Sequence, residues 1–510
     1  MLGDGDLMGS AHVNDPHRPI WSPPPKELTK PPGQKGIAQL EDFGHFEISF
    51  GIRKSHSATK AHPKGAKSPR RPQDPGALWQ SPHERGGNRP LEPARRAHLS
   101  ELSRGFRRPP PWPHSPPRPP PAQGSQDTWR SIVSSEALGH HFAVEELWVR
   151  GATLVSPDWP APKRADLWVR AGKIAEIGEK ISSRGRILDA SDLFLSPGFI
   201  DLHVHGGGAG FFGADPESSR KAILHHLRGG TTGIVASLMP APWEDLRASL
   251  ATLANLGSPV LLGAALEGPF VSPARAGALP REFLLPPDVQ TFRSLVLGFE
   301  KFVRIVALAP ELPGAFSLLS EILRLGAIPA LGHTDADYLT ARKAVEAGAS
   351  LFLHLFNAMR PFHHREPGAV GAALDTDAFV ELIVDGYHLH PAAVRLALRA
   401  KGLDRICLVT DAVLGEDPEP ARLPNGTLAG SRLTMNEAVR NFQAFTGLSL
   451  PEALRPATLN PARVLGLAHQ KGSLTQGKDA DLILFDQDWQ IHGAIVGGEI
   501  LWLSDPGRYR

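Results

Sequence analysis

Six side chains able to bind a metal ion or to move protons stand at or just after the ends of short apolar runs. They are His203, His205, Glu267, His333, His354 and Asp411. Imidazole nitrogens and carboxylate oxygens are the ligands that zinc and iron take from proteins. One cation needs several such ligands, brought together from distant parts of the chain. The pattern therefore predicts a metal-dependent hydrolase, provided that the surrounding elements make these side chains meet.

The elements that would position them alternate between strand-like and helix-like segments. The eight strand-like runs are Phe199–Val204, Thr232–Ser237, Val260–Leu266, Ile305–Ala309, Ile328–Leu331, Leu351–Phe356, Phe379–Val384 and Ile406–Val409. Eight such units within about 215 residues are typical of an α/β fold of the (β/α)8 TIM-like barrel type. Active sites of this fold lie at the carboxyl ends of the strands, and runs 1, 3, 5, 6 and 8 end in candidate ligands. His203 and His205 are two residues apart, so they point to one face of their strand.

Each candidate has an ordinary explanation when it is taken alone. His354 would be a core histidine, and Glu267 or Asp411 would cap a following helix. Burying His354 and Asp411 among apolar residues costs several kcal/mol unless they are paired or coordinated. We therefore predict metal binding within this group. The pairs His225–His226, on a helix facing solvent, and His363–His364, in the loop after the sixth strand, are assigned no role.

The composition of the chain changes near residue 142. Residues 1–142 hold 23 of the 49 prolines and 10 of the 22 histidines. Such a Pro/Arg/His-rich segment is predicted to be a disordered extension. A partner-binding role, no role, and a misplaced translation start remain open for it. Strand-like runs in residues 143–197 and 470–510 are predicted to form a small β-sandwich domain from both flanks of a barrel at 198–469.

Bulk properties point away from several classes of protein. A net charge of +2 gives no indication of nucleic-acid or membrane-surface binding. The single cysteine, Cys407, allows no intrachain disulfide, which fits a reducing compartment. No apolar run reaches the ~18 residues of a membrane span. We predict a soluble cytoplasmic protein that binds neither nucleic acid nor membrane.

Longer motifs surround the candidate ligands. They are Pro-Gly-Phe-Ile-Asp-Leu-His-Val-His-Gly-Gly (197–207), Leu-Glu-Gly-Pro-Phe (266–270), Leu-Gly-His-Thr-Asp-Ala (331–336), His-Leu-Phe-Asn-Ala-Met (354–359), Arg-Glu-Pro-Gly (365–368), Asp-Gly-Tyr-His (385–388), Val-Thr-Asp-Ala (409–412) and Asn-Gly-Thr-Leu-Ala-Gly-Ser (425–431). On these motifs, residues 144–510 resemble the amidohydrolase superfamily and, within it, the N-acetylglucosamine-6-phosphate deacetylase family. The His-x-His motif is shared across the superfamily, whereas the motifs at 354–359 and 365–368 are more specific to the deacetylases.

The resemblance implies a role for each matching residue. The matching metal ligands are Glu267, His333 and His354, with His203 and His205 as a second-metal pair. The other matching positions are Asp411 as the catalytic acid/base, and Asn357, Ala358 (through its N–H), Arg365 and His388 around a phosphorylated sugar. The resemblance further implies one or two divalent cations per subunit, zinc or iron, and a homodimer.

The activity expected from the resemblance is metal-dependent removal of the acetyl group of N-acetylglucosamine 6-phosphate. Leu279 stands where the family commonly has His or Gln in contact with the sugar, so another N-acetylated amino sugar phosphate remains open. The segment between Asp411 and Asn425 is shorter than is usual in the family. Further alternatives are an amidohydrolase acting on a cyclic amide or an amino-purine, and a non-catalytic metal-binding scaffold.

Overall fold

The computed structural model describes residues 146–179, 185–415 and 419–510. The extension predicted over residues 1–142 lies outside the described residues. Within the described part, no helix combines the length and the apolar character that crossing a bilayer requires.

Seven short strands precede the barrel. They are β1 (Glu146–Arg150), β2 (Thr153–Leu154), β3 (Lys163–Arg164), β4 (Asp166–Arg170), β5 (Lys173–Gly178), β6 (Arg186–Asp189) and β7 (Phe194–Pro197). Four of them form one sheet in the order β5-β4-β1-β6. Leu167 and Val169 of β4 are buried and point to the same side, so one face of this sheet packs into an apolar core.

Eight parallel strands form the central sheet, and their order in space is their order in the chain. The strands of this region are β8 (Phe199–Val204), the small ribbon β9 (Gly206–Gly207) and β10 (Gly210–Phe211), and then β11 (Thr231–Leu238), β12 (Leu261–Leu266), β13 (Val303–Leu308), β14 (Ile328–Leu331), β15 (Leu351–Phe352), β16 (Phe379–Leu382) and β17 (Ile406–Leu408). Each of the eight predicted runs overlaps one strand of the central sheet. The predicted (β/α)8 barrel is therefore confirmed.

Hydrogen bonds just beyond the last strand join it to the first. The backbone N–H of Asp411 donates to the carbonyl oxygen of His203 at 2.8 Å. The hydroxyl of Thr410 donates to the buried carboxylate of Asp201 at 2.6 Å. Burial raises the pKa of Asp201 to about 7, although the hydrogen bond from Thr410 opposes this shift. The seam between strands β8 and β17 thus places Asp411 beside the two histidines of β8.

Seven helices connect successive barrel strands, and three more follow β17. They are α1 (Pro216–Arg228), α2 (Trp243–Ala254), α3 (Val289–Val296), α4 (Ala315–Arg324), α5 (Tyr338–Glu346), α6 (Gly368–Asp375), α7 (Pro391–Lys401), α8 (Met435–Thr446), α9 (Leu450–Leu454) and α10 (Leu459–Val464). Short 3-10 turns lie at Pro273–Arg275, Arg281–Phe283, Leu403–Arg405, Arg455–Ala457 and Pro506–Arg508. Local sequence signals set several helix starts. For α1, the Asp215 carboxylate accepts from the N–H of Ser218 at 2.8 Å.

The chain ends in β18 (Leu482–Phe485), β19 (Ile491–Val496) and β20 (Glu499–Leu503). Strand β18 pairs with β7, so both flanks of the barrel meet in one sheet of order β20-β19-β18-β7-β2-β3. Leu482 and Leu484 of β18 face a core shared with the four-stranded sheet, whereas Ile483 and Phe485 face the barrel core. The predicted β-sandwich built from both flanks is confirmed. For its boundaries, 143–197 and 470–510 around a barrel at 198–469, we propose the same division.

Candidate metal centre and active site

Glu267, directly after β12, lies among four imidazoles contributed by three other strand ends. Its Oε1 is 2.9 Å from Nε2 of His333 and 3.1 Å from Nε2 of His354. Its Oε2 is 3.1 Å from Nε2 of His205, and Oε1 is 3.4 Å from Nε2 of His203. All five side chains are buried. The structure therefore brings the five predicted metal ligands together.

Asp411 lies on the same cluster, next to the two histidines of β8. Its Oδ1 is 3.3 Å from Nε2 of His205 and 3.7 Å from Nε2 of His203. Burial would raise the pKa of Asp411, but the hydrogen bond to His205 and the charge of His203 outweigh burial and lower it. Asp411 is therefore an ionised carboxylate at neutral pH, as a proton acceptor must be.

Backbone carbonyls orient two of the imidazoles. Nδ1 of His205 is 3.1 Å from the carbonyl oxygen of Ser237, and Nδ1 of His333 is 3.0 Å from that of Arg275. A carbonyl only accepts hydrogen bonds, so each Nδ1 carries the proton. In the neutral form of either ring the lone pair is then on Nε2 and faces the cluster, which is the form of imidazole that binds a metal.

A carboxylate, Glu381 of β16, orients a third imidazole. Its Oε2 is 3.0 Å from Nδ1 of His203 and accepts from the backbone N–H of His354 at 3.2 Å. Glu381 is fully buried, and its contact with the site was not predicted from the sequence. The available signal was a single charged residue inside the apolar run Phe379–Val384.

The donor set and the charge of the pocket both fit a divalent cation. Glu267 and Glu381 are buried and Asp411 is mostly buried, and within the described ranges none of them forms an ion pair with Lys or Arg. Burial lowers the pKa of His205, but the negative charge of Glu267 and the hydrogen bond to Asp411 outweigh burial and raise it to about 9. The pocket thus attracts positive charge. Nε2 of His203 is buried without a hydrogen-bond partner, as expected for a ligand atom.

Three residues of the cluster have left-handed backbone conformations. The φ angles of His333, His354 and Asp411 are 46°, 27° and 48°. Residues other than glycine rarely adopt such angles, and those that do concentrate at functional sites. The unusual backbone conformation after β14, β15 and β17 therefore directs these three side chains toward the cluster.

Two predicted substrate residues lie close to this cluster. His388, on the loop after β16, contacts Oδ2 of Asp385 through Nδ1 at 2.6 Å. Burial lowers its pKa, but this hydrogen bond and the charges of Asp385 and Asp411 raise it overall. Asn357 follows β15, and its amide donates to the carbonyl of His354 at 3.2 Å. The role of Asp385 in orienting His388 was not predicted from the sequence.

The other two predicted substrate residues lie further along the loop after β15. Ala358 has a φ of 50°. The methyl group of Ala358 is 3.5 Å from the position that a Cβ on Gly277 would occupy. Arg365 is exposed, and its Nη1 is 2.8 Å from Nε2 of His364. Among the contacts of the described residues, none joins Arg365 to the metal cluster, so its predicted role stays a prediction. Leu279 is buried in the barrel core.

The prediction that the pair His225–His226 faces solvent is wrong for His226. Its side chain is fully buried, and Nε2 lies 2.9 Å from the carbonyl oxygen of Gly206. A Cβ added to Gly207 would lie 2.7 Å from that Nε2, so glycine is required for α1 to approach the segment that follows β8. His226 therefore holds the backbone directly after the metal-site histidines.

We expect His226 to make the fold sensitive to acid. Burial, assisted by the charge of His225, lowers its pKa from 6.5 to about 3. Between these values the unfolded chain binds a proton that the folded chain excludes, so stability is lost as the pH falls below 6.5. At pH 5 this loss is about 2 kcal/mol. The check is urea denaturation of the wild type and His226→Gln at pH 7 and pH 5.

The glutamine variant should lose less stability than the wild type between the two pH values, because it has no group to protonate. His469→Gln, at an exposed position, is the matched control and should keep the wild-type dependence. An unchanged pH dependence in His226→Gln would contradict the assignment.

Comparison with known proteins gives consistent matches. Residues 194–501 match the pattern of the Amidohydrolase family. The chain is 36% identical over 380 residues to the N-acetylglucosamine-6-phosphate deacetylase of Lysinibacillus sphaericus, covering 69% of this chain and 97% of that one. It is 35% identical over 329 residues to the N-acetylgalactosamine-6-phosphate deacetylase of Escherichia coli O157:H7, covering 60% and 87%. A mutant N-acetyl-D-glucosamine-6-phosphate deacetylase from Mycobacterium smegmatis, solved in complex with N-acetyl-D-glucosamine-6-phosphate, superposes with a TM-score of 0.65 at 32% identity, covering 71% and 100%.

Proposed function

Because this chain belongs to the amidohydrolase family and, within it, to the N-acetylglucosamine-6-phosphate deacetylases, we propose that it hydrolyses the acetamide of N-acetylglucosamine 6-phosphate. The products are glucosamine 6-phosphate and acetate. The observation that carries this proposal is the convergence of four imidazoles on Glu267 beside an ionised Asp411. Metal-dependent amide hydrolysis needs this combination of ligands and a proton carrier.

The metal-holding residues in this proposal are Glu267, His333, His354, His203 and His205. A bound divalent cation lowers the pKa of its water to about 7 and polarises the carbonyl under attack. The imidazole nitrogens and the carboxylate favour zinc or iron over magnesium or calcium. We propose one or two such cations per chain.

Asp411 is the proton carrier of the proposed reaction. Its Oδ1 accepts a proton from the attacking water, whose oxygen forms a bond to the acetyl carbon. The same carboxyl group then donates that proton to the amide nitrogen as the C–N bond breaks, so that a neutral amine leaves. Oδ1 of Asp411 is 3.3 Å from Nε2 of His205, which places the proton carrier beside the residues that would hold the cation.

The sugar phosphate would be held by groups on the loops after β15 and β16. We propose that Asn357, the N–H of Ala358, Arg365 and His388 form this set. Arg365 offers a planar fork of donors that matches phosphate oxygens, and His388 adds a donor whose orientation Asp385 fixes. A homodimer in the reducing cytoplasm is also part of this proposal, and light scattering of the purified protein tests the oligomeric state.

A second substrate is favoured by two observations. One relative is an N-acetylgalactosamine-6-phosphate deacetylase, which is 35% identical over the matched residues. In addition, Leu279 is buried in the barrel core and offers no hydrogen bond to a sugar hydroxyl. N-acetylgalactosamine 6-phosphate is therefore the alternative substrate within the same reaction.

The experiment that tests the function is acetate release by the full-length protein. Three substrates are compared, namely N-acetylglucosamine 6-phosphate, N-acetylgalactosamine 6-phosphate and unphosphorylated N-acetylglucosamine. A fourth assay uses the first substrate after a chelator has removed the metal from the protein. We expect kcat/KM to be highest for the first substrate. It should be at least about 100-fold lower for the unphosphorylated sugar, because charge-assisted contacts with the phosphate are lost. Activity lost on chelation should be restored by added Zn²⁺ or Fe²⁺. Preference for the galactosamine epimer would select the alternative. Absence of release from every N-acetyl sugar, with metal bound, would refute the proposal.

A further inference from the structure

Glu381 is a buried carboxylate that lies against the metal centre without being one of its predicted ligands. It stands in the middle of β16, opposite Cys407 of β17, and is fully buried. Its Oε2 is 3.0 Å from Nδ1 of His203, and its Oε1 is buried without a hydrogen-bond partner. We propose that Glu381 is a positioning residue that orients His203 and strengthens its Nε2 as a metal ligand. This inference rests on the metal centre of the proposed function, not on the sugar substrate.

The tautomer of His203 follows from this contact. A carboxylate accepts a hydrogen bond, so the proton of the neutral imidazole lies on Nδ1 and the lone pair lies on Nε2. Nε2 of His203 has no hydrogen-bond partner and is 3.4 Å from Oε1 of Glu267. The lone pair is therefore directed into the ligand cluster, where a cation would take it up.

The charge of Glu381 distinguishes His203 from the other oriented imidazoles. His205 and His333 donate to neutral backbone carbonyls, whereas His203 donates to a carboxylate. A negatively charged acceptor makes the opposite ring nitrogen more basic and so a stronger ligand. His203 is therefore the only one of these three imidazoles whose ring donates to a charged acceptor, and the largest effect of Glu381 should fall on the cation that His203 binds.

A purely structural role explains Glu381 poorly. Its neighbours in β16, Val380 and Leu382, are buried apolar residues, and Cys407 lies opposite. Burying a carboxylate there, with one oxygen unpaired, costs free energy that an apolar side chain of similar volume would not. The compensating contacts are those with His203 and with the backbone N–H of His354, which come from two separate barrel strands.

The test is a zinc titration of full-length wild type and Glu381→Gln, in competition with a fluorescent chelator. Glutamine keeps the shape and an acceptor oxygen but removes the charge. We expect about 10–100-fold weaker Zn²⁺ binding at the site that uses His203, the range typical for loss of a residue that supports a metal ligand. Cys407→Ala, a change opposite Glu381 in the neighbouring strand, is the matched control and should bind Zn²⁺ like the wild type.

A double-mutant cycle separates positioning from general packing. In a His203→Gln background the ligand is already lost, so adding Glu381→Gln should cause no further loss of Zn²⁺ affinity. Wild-type affinity in Glu381→Gln, or effects that add in the double variant, would overturn the proposal. Glu381→Met is a second variant, because it removes the buried charge with an apolar side chain and is expected to fold. Wild-type Zn²⁺ affinity in Glu381→Met would also overturn it.

The titration contains no sugar, so its outcome is independent of the proposed substrate. Weakened Zn²⁺ binding in Glu381→Gln without acetate release by the wild type would refute the deacetylase function alone. Acetate release by the wild type, with unchanged Zn²⁺ binding in the variant, would refute the positioning role alone.

Discussion

Replacing Asp411 with asparagine is expected to lower kcat by a factor of about 10²–10⁴ while the cation stays bound. Asparagine has the shape of aspartate but cannot take a proton from water and return it to an amine. The contacts of Glu267 with His333 and His354, at 2.9 and 3.1 Å, do not involve Asp411 and should persist. The measurement is steady-state acetate release, together with the metal content of the same protein samples.

Asp377→Asn is the control for this experiment, because Asp377 is exposed in the connection from α6 to β16, at the amino end of that strand and so at the rim opposite the site. It should retain the wild-type kcat. If Asp411→Asn lost its metal along with its activity, Asp411 would be chiefly a ligand. If its kcat were unchanged, the proton carrier would have to be another group.

Glu267→Gln is expected to abolish metal retention and, with it, activity. The carboxylate oxygens of Glu267 lie within 3.4 Å of Nε2 of all four imidazoles, so Glu267 is the central ligand of the cluster. A neutral amide coordinates poorly, and its NH₂ group would occupy space that a cation needs. We expect affinity for Zn²⁺ to fall by more than about 100-fold, beyond the range for residues that only support a ligand. Metal analysis after dialysis and acetate release together measure the effect.

Glu321→Gln supplies a control of the opposite kind. Glu321 is also a largely buried glutamate, but it pairs with Arg293 and Arg324 on the helical layer. Its replacement should lower the melting temperature and leave the bound metal unchanged. Retention of the metal by Glu267→Gln at the wild-type level would remove Glu267 from the ligand set.

Much of the fold was predictable because its signals are local. Each barrel strand is a short apolar run, and the regular alternation with helices allowed the ring to be inferred without knowledge of any contact. The convergence of His203, Glu267 and His354 followed from the same reasoning, since parallel strands of a barrel present their carboxyl ends at one rim. The prediction of the ligand cluster therefore depended on the prediction of the fold class.

The residues that orient the ligands were not predictable in the same way. The partners of His205 and His333 are backbone carbonyls, and every residue type carries a carbonyl, so Ser237 and Arg275 leave no signal in a sequence. The prediction that His226 faces solvent was wrong for a related reason. Its burial depends on Gly207, which lets α1 approach the chain after β8, and such a contact is visible only in three dimensions.

The pairing of β7 with β18 has a consequence for how the chain folds during synthesis. These neighbours in the sheet are separated in the chain by the entire barrel, so the entropy of closing that loop has to be overcome before their hydrogen bonds form. Pairings of this range slow folding. Ile483 and Phe485 of β18 also pack into the barrel core. A nascent chain that stops before β18 would therefore leave part of this core exposed to water. Strand β18, which is synthesised after the whole barrel, thus completes both halves of the molecule at once.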